Sequence, residues 1–225
     1  MPSHYMNIYK SGLGDNLMNP VFFTEAVRQY LKGEEELLVS LSTSYDTIIE
    51  IGCTAGRYAE AITRLGKDYV GIDIADHHIL RAAHLHKGNE KASFLCDDAH
   101  NLEAILNAAE ASSRNPLVFF PFNSFGNLGN GYAILEILMK MSIPFAIFTY
   151  ATDQATTGER KTYYKASGFK SLILEEEGSG VRFIDQSGLN TIAYSASWFE
   201  RSFSSLQLPY RCTPFSSIGC CYMSI

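Results

Sequence analysis

Residues 48–56 read Ile48-Ile49-Glu50-Ile51-Gly52-Cys53-Thr54-Ala55-Gly56, an apolar strand carrying one acidic residue into a glycine turn that opens directly into a helix. This is the pattern of a nucleoside-binding loop at a strand end. Gly52 lets the chain turn sharply there, and Gly56 removes a side chain where the next helix must pack close to ligand or sheet. A dinucleotide loop, G-x-G-x-x-G, needs glycines at 52, 54 and 57 to bring backbone amides against a pyrophosphate. Thr54 and Arg57 occupy two of those places, so the dinucleotide reading fails on spacing. A carboxylate at position 50 repels phosphate and suits a ligand with positive charge.

Three more segments follow in order. Tyr69-Val70-Gly71-Ile72-Asp73-Ile74 is a short apolar run ending in a carboxylate, one helix and one strand after Gly52. In a βαβ unit an acidic residue there can accept both ribose hydroxyls, which makes Asp73 the ribose candidate. Ala92-Ser93-Phe94-Leu95-Cys96-Asp97-Asp98-Ala99 repeats the logic with a pair of acids, and Leu117 to Leu128 contains Phe120-Pro121-Phe122-Asn123 at a fourth strand end.

In order and spacing these four segments resemble the class I S-adenosylmethionine-dependent methyltransferases of small-molecule type, whose first motif is E/D-x-G-x-G-x-G. Thr54 stands where the middle glycine would be, leaving less room and offering a hydroxyl or backbone contact instead. The resemblance implies S-adenosyl-L-methionine as cofactor, held by Glu50, Gly52, Cys53, Thr54 and Gly56 in the first loop and by Asp73 with Ile74 in the second. It implies that Asp98, followed by Ala99, receives the adenine amino group, with Asp97 as the alternative. It places Phe120 and Pro121 beside the methionine part, with Asn123 able to orient an amino or carboxylate group.

Composition bounds the rest. The 225 residues are enough for one sizeable core and short for two full domains. A hydrophobic content of 46% with 12% aromatics is that of a packed globular protein, and no apolar run approaches the ~20 residues that span a bilayer. The start lacks a basic stretch followed by an apolar one, so a cytoplasmic location without membrane attachment is expected. A formal charge of −6 argues against nucleic acid as partner and favours a small-molecule substrate. The five cysteines read as buried reduced thiols, and Cys220-Cys221 has no zinc-like neighbours in sequence.

Hydrophobic periodicity predicts a helix from Asn19-Pro20 to just before Gly33. It then gives strand 47–51, helix 56–65, strand 68–73, helix 76–86, strand 92–96, helix 101–111, strand 116–120, helix 130–141 and strand 144–150. Such alternation makes an α/β, doubly wound, parallel sheet. Beyond it lie a helix at 156–167, strands at 171–176, 181–185 and 190–195, a helix at 197–205 and a strand at 217–224. These strands are expected to close a mostly parallel, seven-stranded Rossmann-like sheet with an antiparallel C-terminal edge. Residues 1–33 are expected to form an N-terminal lid and helix, and 34–225 the catalytic domain.

Several tempting clusters have a plainer reading. His77, His78, His84 and His86 fall on one predicted helix with no carboxylate or thiol at helical metal spacing, so a solvated face and no metal are expected. Glu175-Glu176-Glu177 reads as a solvated hairpin tip. Tyr5, Tyr9, Tyr150, Tyr163, Tyr164 and Tyr194 come from segments near the ligand edge of this fold. As a group they suggest an aromatic wall for a sulfonium, with Tyr9 and Tyr150 foremost and, with Asn123, the candidates for a direct catalytic part.

Methyl transfer from a sulfonium needs alignment more than acid–base help, which agrees with the absence of a nucleophile elbow, a Walker loop or an H-E-x-x-H helix. The implied activity is transfer to a small amine, amino acid or hydroxyl. Two alternatives stand beside it: a cyclase making azetidine-2-carboxylate and methylthioadenosine from the same cofactor without an acceptor, and a non-catalytic binding protein on the same fold. The sequence is silent on oligomeric state.

Overall fold

The computed structural model describes Ile8 and residues 13–110 and 115–224, with the side chains of 108–110 excluded. Five strand–helix units alternate as expected: β1 (Thr47–Ile51), β2 (Asp68–Asp73), β3 (Ala92–Cys96), β4 (Pro116–Phe120) and β5 (Phe145–Tyr150), all parallel, in the order β3-β2-β1-β4-β5. The connecting helices are α2 (Ala59–Arg64), α3 (Asp76–Leu85), α4 (Leu102–Glu110) and α5 (Gly131–Lys140), with α1 (Glu25–Ser42) preceding β1. β1 is buried along its whole length, which is why it reads as an unbroken apolar run apart from Glu50. Ile49 and Ile51 pack toward α4 and α5. Ile48, on the other face, meets Leu38 of α1 and Ile62 of α2.

After β5 come α6 (Gln154–Ala166), β6 (Ile173–Glu177), β7 (Gly180–Ile184), β8 (Asn190–Tyr194), α7 (Ala196–Ser205), β9 (Tyr210–Pro214) and β10 (Gly219–Ser224). The antiparallel edge is β10 against β5, then β9 outside it, completing seven strands in the order β3-β2-β1-β4-β5-β10-β9. Two expectations are corrected here. β6, β7 and β8 form a separate three-stranded antiparallel sheet and do not join the main one. The seventh strand of the main sheet is β9, which the sequence reading missed because it is a five-residue edge strand, largely exposed and bounded by Pro209 and Pro214.

The start of the chain also differs. Asn19 does cap a helical turn, but a short 3-10 one over Pro20–Phe22. The long helix begins after Thr24, whose hydroxyl accepts from Val27 N, and continues through Gly33 to Ser42. A boundary at residue 33 falls inside it. Gly33 looked like a stop because it precedes three glutamates. It is there because a Cβ would sit 2.3 Å from the carbonyl oxygen of Phe215, so the β9–β10 turn lies directly on the helix backbone. The helix after β1 likewise starts later than expected, at Ala59, with residues 54–58 in turns. No helix among the described residues is long and apolar enough to cross a membrane.

Gly33→Ala is expected to destabilise the protein by about 1–3 kcal/mol in urea denaturation, although alanine is the better helix former, because overpacking against a backbone atom outweighs propensity. A neutral or stabilising result would mean that the Phe215 turn yields freely.

Candidate functional site

The C-terminal ends of β1, β2 and β3 open into one cavity roofed by the small sheet, α6 and the 3-10 turn Gly14–Met18. Glu50, Gly52, Thr54, Asp73, Ile74, Asp97, Asp98, Ala99, Pro121, Asn123 and Tyr150 line it, so most of the predicted residues converge. Gly52 turns with φ +86°, and both Gly52 N and Cys53 N donate to Ile72 O, binding the loop to β2. Thr54 has φ +47°, and its N–H donates to Asp73 Oδ2 at 2.8 Å. Asp73 Oδ1 accepts from Ala75 N at 2.9 Å. Both carboxylate oxygens are thus aimed by backbone donors, and Oδ2 keeps a lone pair for a ligand hydroxyl.

Three predicted residues are not brought to the cavity. Cys53 is fully buried with its sulfur against Gly71 of β2, and its thiol is pushed up by burial and by Glu50 and Asp73, so it stays protonated. At Gly56 (φ +74°) a Cβ would point at the Phe94 ring and His86, on the far side of the loop. Phe120 is core, edge-on to Phe125. Phe120 faces away because alternate strand residues point to opposite sides of the sheet.

Asn123 lies on the cavity wall in a left-handed conformation (φ +62°), and its amide makes three hydrogen bonds within the protein. Nδ2 donates to Thr191 Oγ1 and Ile192 O, both at 3.0 Å, and Oδ1 accepts from Thr149 at 2.7 Å. Both amide hydrogens are used, so the group holds neighbouring elements together, and Oδ1 keeps one lone pair. Of the tyrosines, Tyr150, Tyr163 and Tyr164 line the cavity. Tyr194 is stacked on Trp198 in the core, and Tyr5 and Tyr9 lie outside the described residues.

Sequence reading missed Glu34. It is fully buried on α1, lines the cavity, and accepts from Tyr58 OH and, at 2.7 Å, from Phe122 N. Burial pushes its carboxyl up to about 7, against the opposing pull of these donors and of Arg57. Glu50, accepting from Tyr69 OH, is raised well above its ordinary value by burial in the same way. Two buried acids and one guanidinium, Arg57, therefore share this end of the cavity. At the far end Asp98 remains low: burial raises it, but the backbone and imidazole of His100 more than compensate.

The histidines also depart from expectation. His78 is buried, its Nε2 2.6 Å from Asp15 Oδ1 and its Nδ1 3.5 Å from Asp73 Oδ1. His77 reaches the same Asp15 oxygen at 3.4 Å, and the three residues are close enough together to share a cation. The carboxylate that helical spacing failed to supply comes from a turn far away in sequence. His84 and His86 take no part in this cluster, and His86 stacks on Phe94.

A family described as "Methyltransferase domain" matches residues 49–111, from β1 past the end of α4. No curated protein matches the sequence. Among solved structures, the chain is similar to magnesium protoporphyrin IX methyltransferase from Synechocystis PCC 6803 with bound SAH, at 10% identity over 98% of this chain and 95% of that one, with a TM-score of 0.61. It is similar to a protein from Pyrococcus horikoshii OT3 at 17% identity, 89% and 92% coverage and a TM-score of 0.60. A SAM-dependent methyltransferase from Aquifex aeolicus aligns at 12% identity, 84% and 88% coverage and a TM-score of 0.54.

The raised carboxyl of Glu34 fixes a pH dependence. Its value is about 7 in the fold against an ordinary 4.5, so the native state holds a proton that the unfolded chain has released. The stability this contributes is complete below pH 4.5 and is lost as the pH rises to about 7, at most about 3 kcal/mol. Relative to Glu34→Gln, the ligand-free wild type should lose several degrees of Tm between pH 5 and 7.5. Parallel Tm curves would show that Glu34 titrates normally.

Proposed function

We propose that the chain is a class I S-adenosylmethionine-dependent methyltransferase that transfers the methyl group to a small-molecule acceptor bound between the cofactor and Tyr150, Tyr163 and Tyr164. The observation that carries this reading is that Glu50, Asp73, Asp97 and Asp98 line one cavity at successive parallel strand ends. Their chemistry fits the cofactor. Asp73, with both oxygens pre-aimed by Thr54 and Ala75, suits a ribose diol. Asp98 or Asp97 suits the adenine amino group. Glu50 and Glu34 suit a primary ammonium, whose charge would offset the cost of burying two carboxyls, while Arg57 suits a carboxylate.

When bound, S-adenosylmethionine supplies an electrophilic methyl group on a sulfonium. The protein's part is alignment and exclusion of water: the Gly14–Met18 turn covers the cavity, held by Asp15 to His78 and by Asn16 Nδ2 to Ser167 O at 3.0 Å. The tyrosine faces favour positive charge, and oriented reactants can lower the barrier by as much as roughly 7–11 kcal/mol. Acceptor-free cyclisation remains the second reading, because Glu34, with its carboxyl near 7, can take a proton from an ammonium beside it.

S-adenosylmethionine should bind the wild type in calorimetry, and Asp73→Asn should weaken it about tenfold, the loss of a charged hydrogen-bond acceptor. Saturated enzyme without acceptor, followed by mass spectrometry, should leave the cofactor intact. Methylthioadenosine with a cyclic amino acid would replace methyl transfer by cyclisation, and absence of binding would sink both.

A further inference from the structure

Arg160, in the middle of α6, is fully buried and has no counter-ion among the described residues. Nη1 donates to Val181 O at 3.1 Å, Nη2 reaches Tyr164 OH at 3.5 Å, and Nε has no partner among the described residues. No described carboxylate pairs with it, and of the side chains outside the description only that of Glu110 is acidic. A guanidinium out of water with no anion is costly. Here it is only partly offset by three aromatic rings: the guanidinium carbon lies 5.0 Å from the centroids of Tyr150 and Phe183 and 5.7 Å from that of Tyr164.

Two of those rings, Tyr150 and Tyr164, are also cavity wall. The Tyr150 hydroxyl is buried behind that wall with no hydrogen-bond partner among the described residues. The Tyr164 hydroxyl accepts from Arg160, which leaves its own proton to donate. A buried donor without an acceptor is rare enough in folded proteins to indicate a missing one. Building on the methyltransferase reading, we infer that this end of the cavity is a carboxylate subsite: the acceptor carries an anionic carboxylate, received by the Tyr150 and Tyr164 hydroxyls with Arg160 behind them as counter-charge. A neutral acceptor would leave the guanidinium uncompensated. The cofactor's own carboxylate has a separate cation, Arg57, at the end of the cavity shared by Glu34 and Glu50.

The test uses protein saturated with S-adenosylhomocysteine, so that the cofactor's carboxylate is already housed, and titrates it with benzoate and with benzamide. Benzoate should bind at least tenfold more tightly. The Tyr150→Phe/Tyr164→Phe double variant should abolish that preference while holding S-adenosylhomocysteine within about twofold of wild type, which also reports that it folds. Arg160→Met should do the same, and the double variant decides the matter if the methionine variant does not fold. Equal affinity for the two probes, binding of neither, or a preference that survives the double variant would overturn the carboxylate subsite and leave the methyltransferase reading standing. Failure of the wild type to bind S-adenosylhomocysteine would overturn that reading, and this inference with it.

Discussion

Asn123 holds the two sheets in register. It sits just past β4 in a left-handed conformation, and from there one amide reaches Thr149 on β5 and Thr191 and Ile192 on β8. Those three bonds join the end of the parallel sheet to the small antiparallel one. The close approach is enforced next door at Gly126, where a Cβ would lie 1.8 Å from Ile192 O. Because every bond is buried, losing any one would strand a polar group without water, so parting the two sheets here is costly.

That cavity is electrically lopsided. At the β1 end two carboxyls are buried beside Arg57, and their raised proton affinities express the cost of charging them in a dry site. Near α6 the charge is reversed: a guanidinium sits behind tyrosines with no carboxylate paired to it among the described residues. A ligand pair that is cationic where it meets Glu34 and Glu50 and anionic where it meets Tyr150 and Tyr164 relieves both. Burial of charge is tolerated in the free protein only because phenol hydroxyls and aromatic faces share it: Tyr69 on Glu50, Tyr58 on Glu34, three rings on Arg160. Of the tyrosines expected to form an aromatic wall, Tyr150 and Tyr164 are neighbours of this cation, while the acid donors Tyr58 and Tyr69 lie outside that set.

The legible part of the site was that carried by short, repeated local pattern. Each acid at the end of an apolar run lay where a parallel strand had to stop, so Glu50, Asp73, Asp97 and Asp98 could be read one unit at a time. Glu34 could not, because Gly33-Glu34-Glu35-Glu36 has the look of a helix stop followed by solvated charge. Its clue was the apolar stripe resuming at Leu37, Leu38 and Leu41, which continues the helix past the glycine and turns Glu34 inward. His78 was hidden for the same reason, since its partner Asp15 belongs to a different element.

The sequence alone determined the parallel sheet, its strand-end carboxylates and the kind of ligand they suit, because hydrophobic period and turn glycines act over a few residues and need no knowledge of distant chain. Tertiary structure alone decided that β6–β8 leave the main sheet while β9 joins it, that Cys53, Gly56 and Phe120 turn away from the cavity, and that Glu34, Arg57 and Arg160 set its charge. These are outcomes of packing between segments remote in sequence, where sidedness and burial are fixed by what lies opposite, and no local pattern encodes what lies opposite.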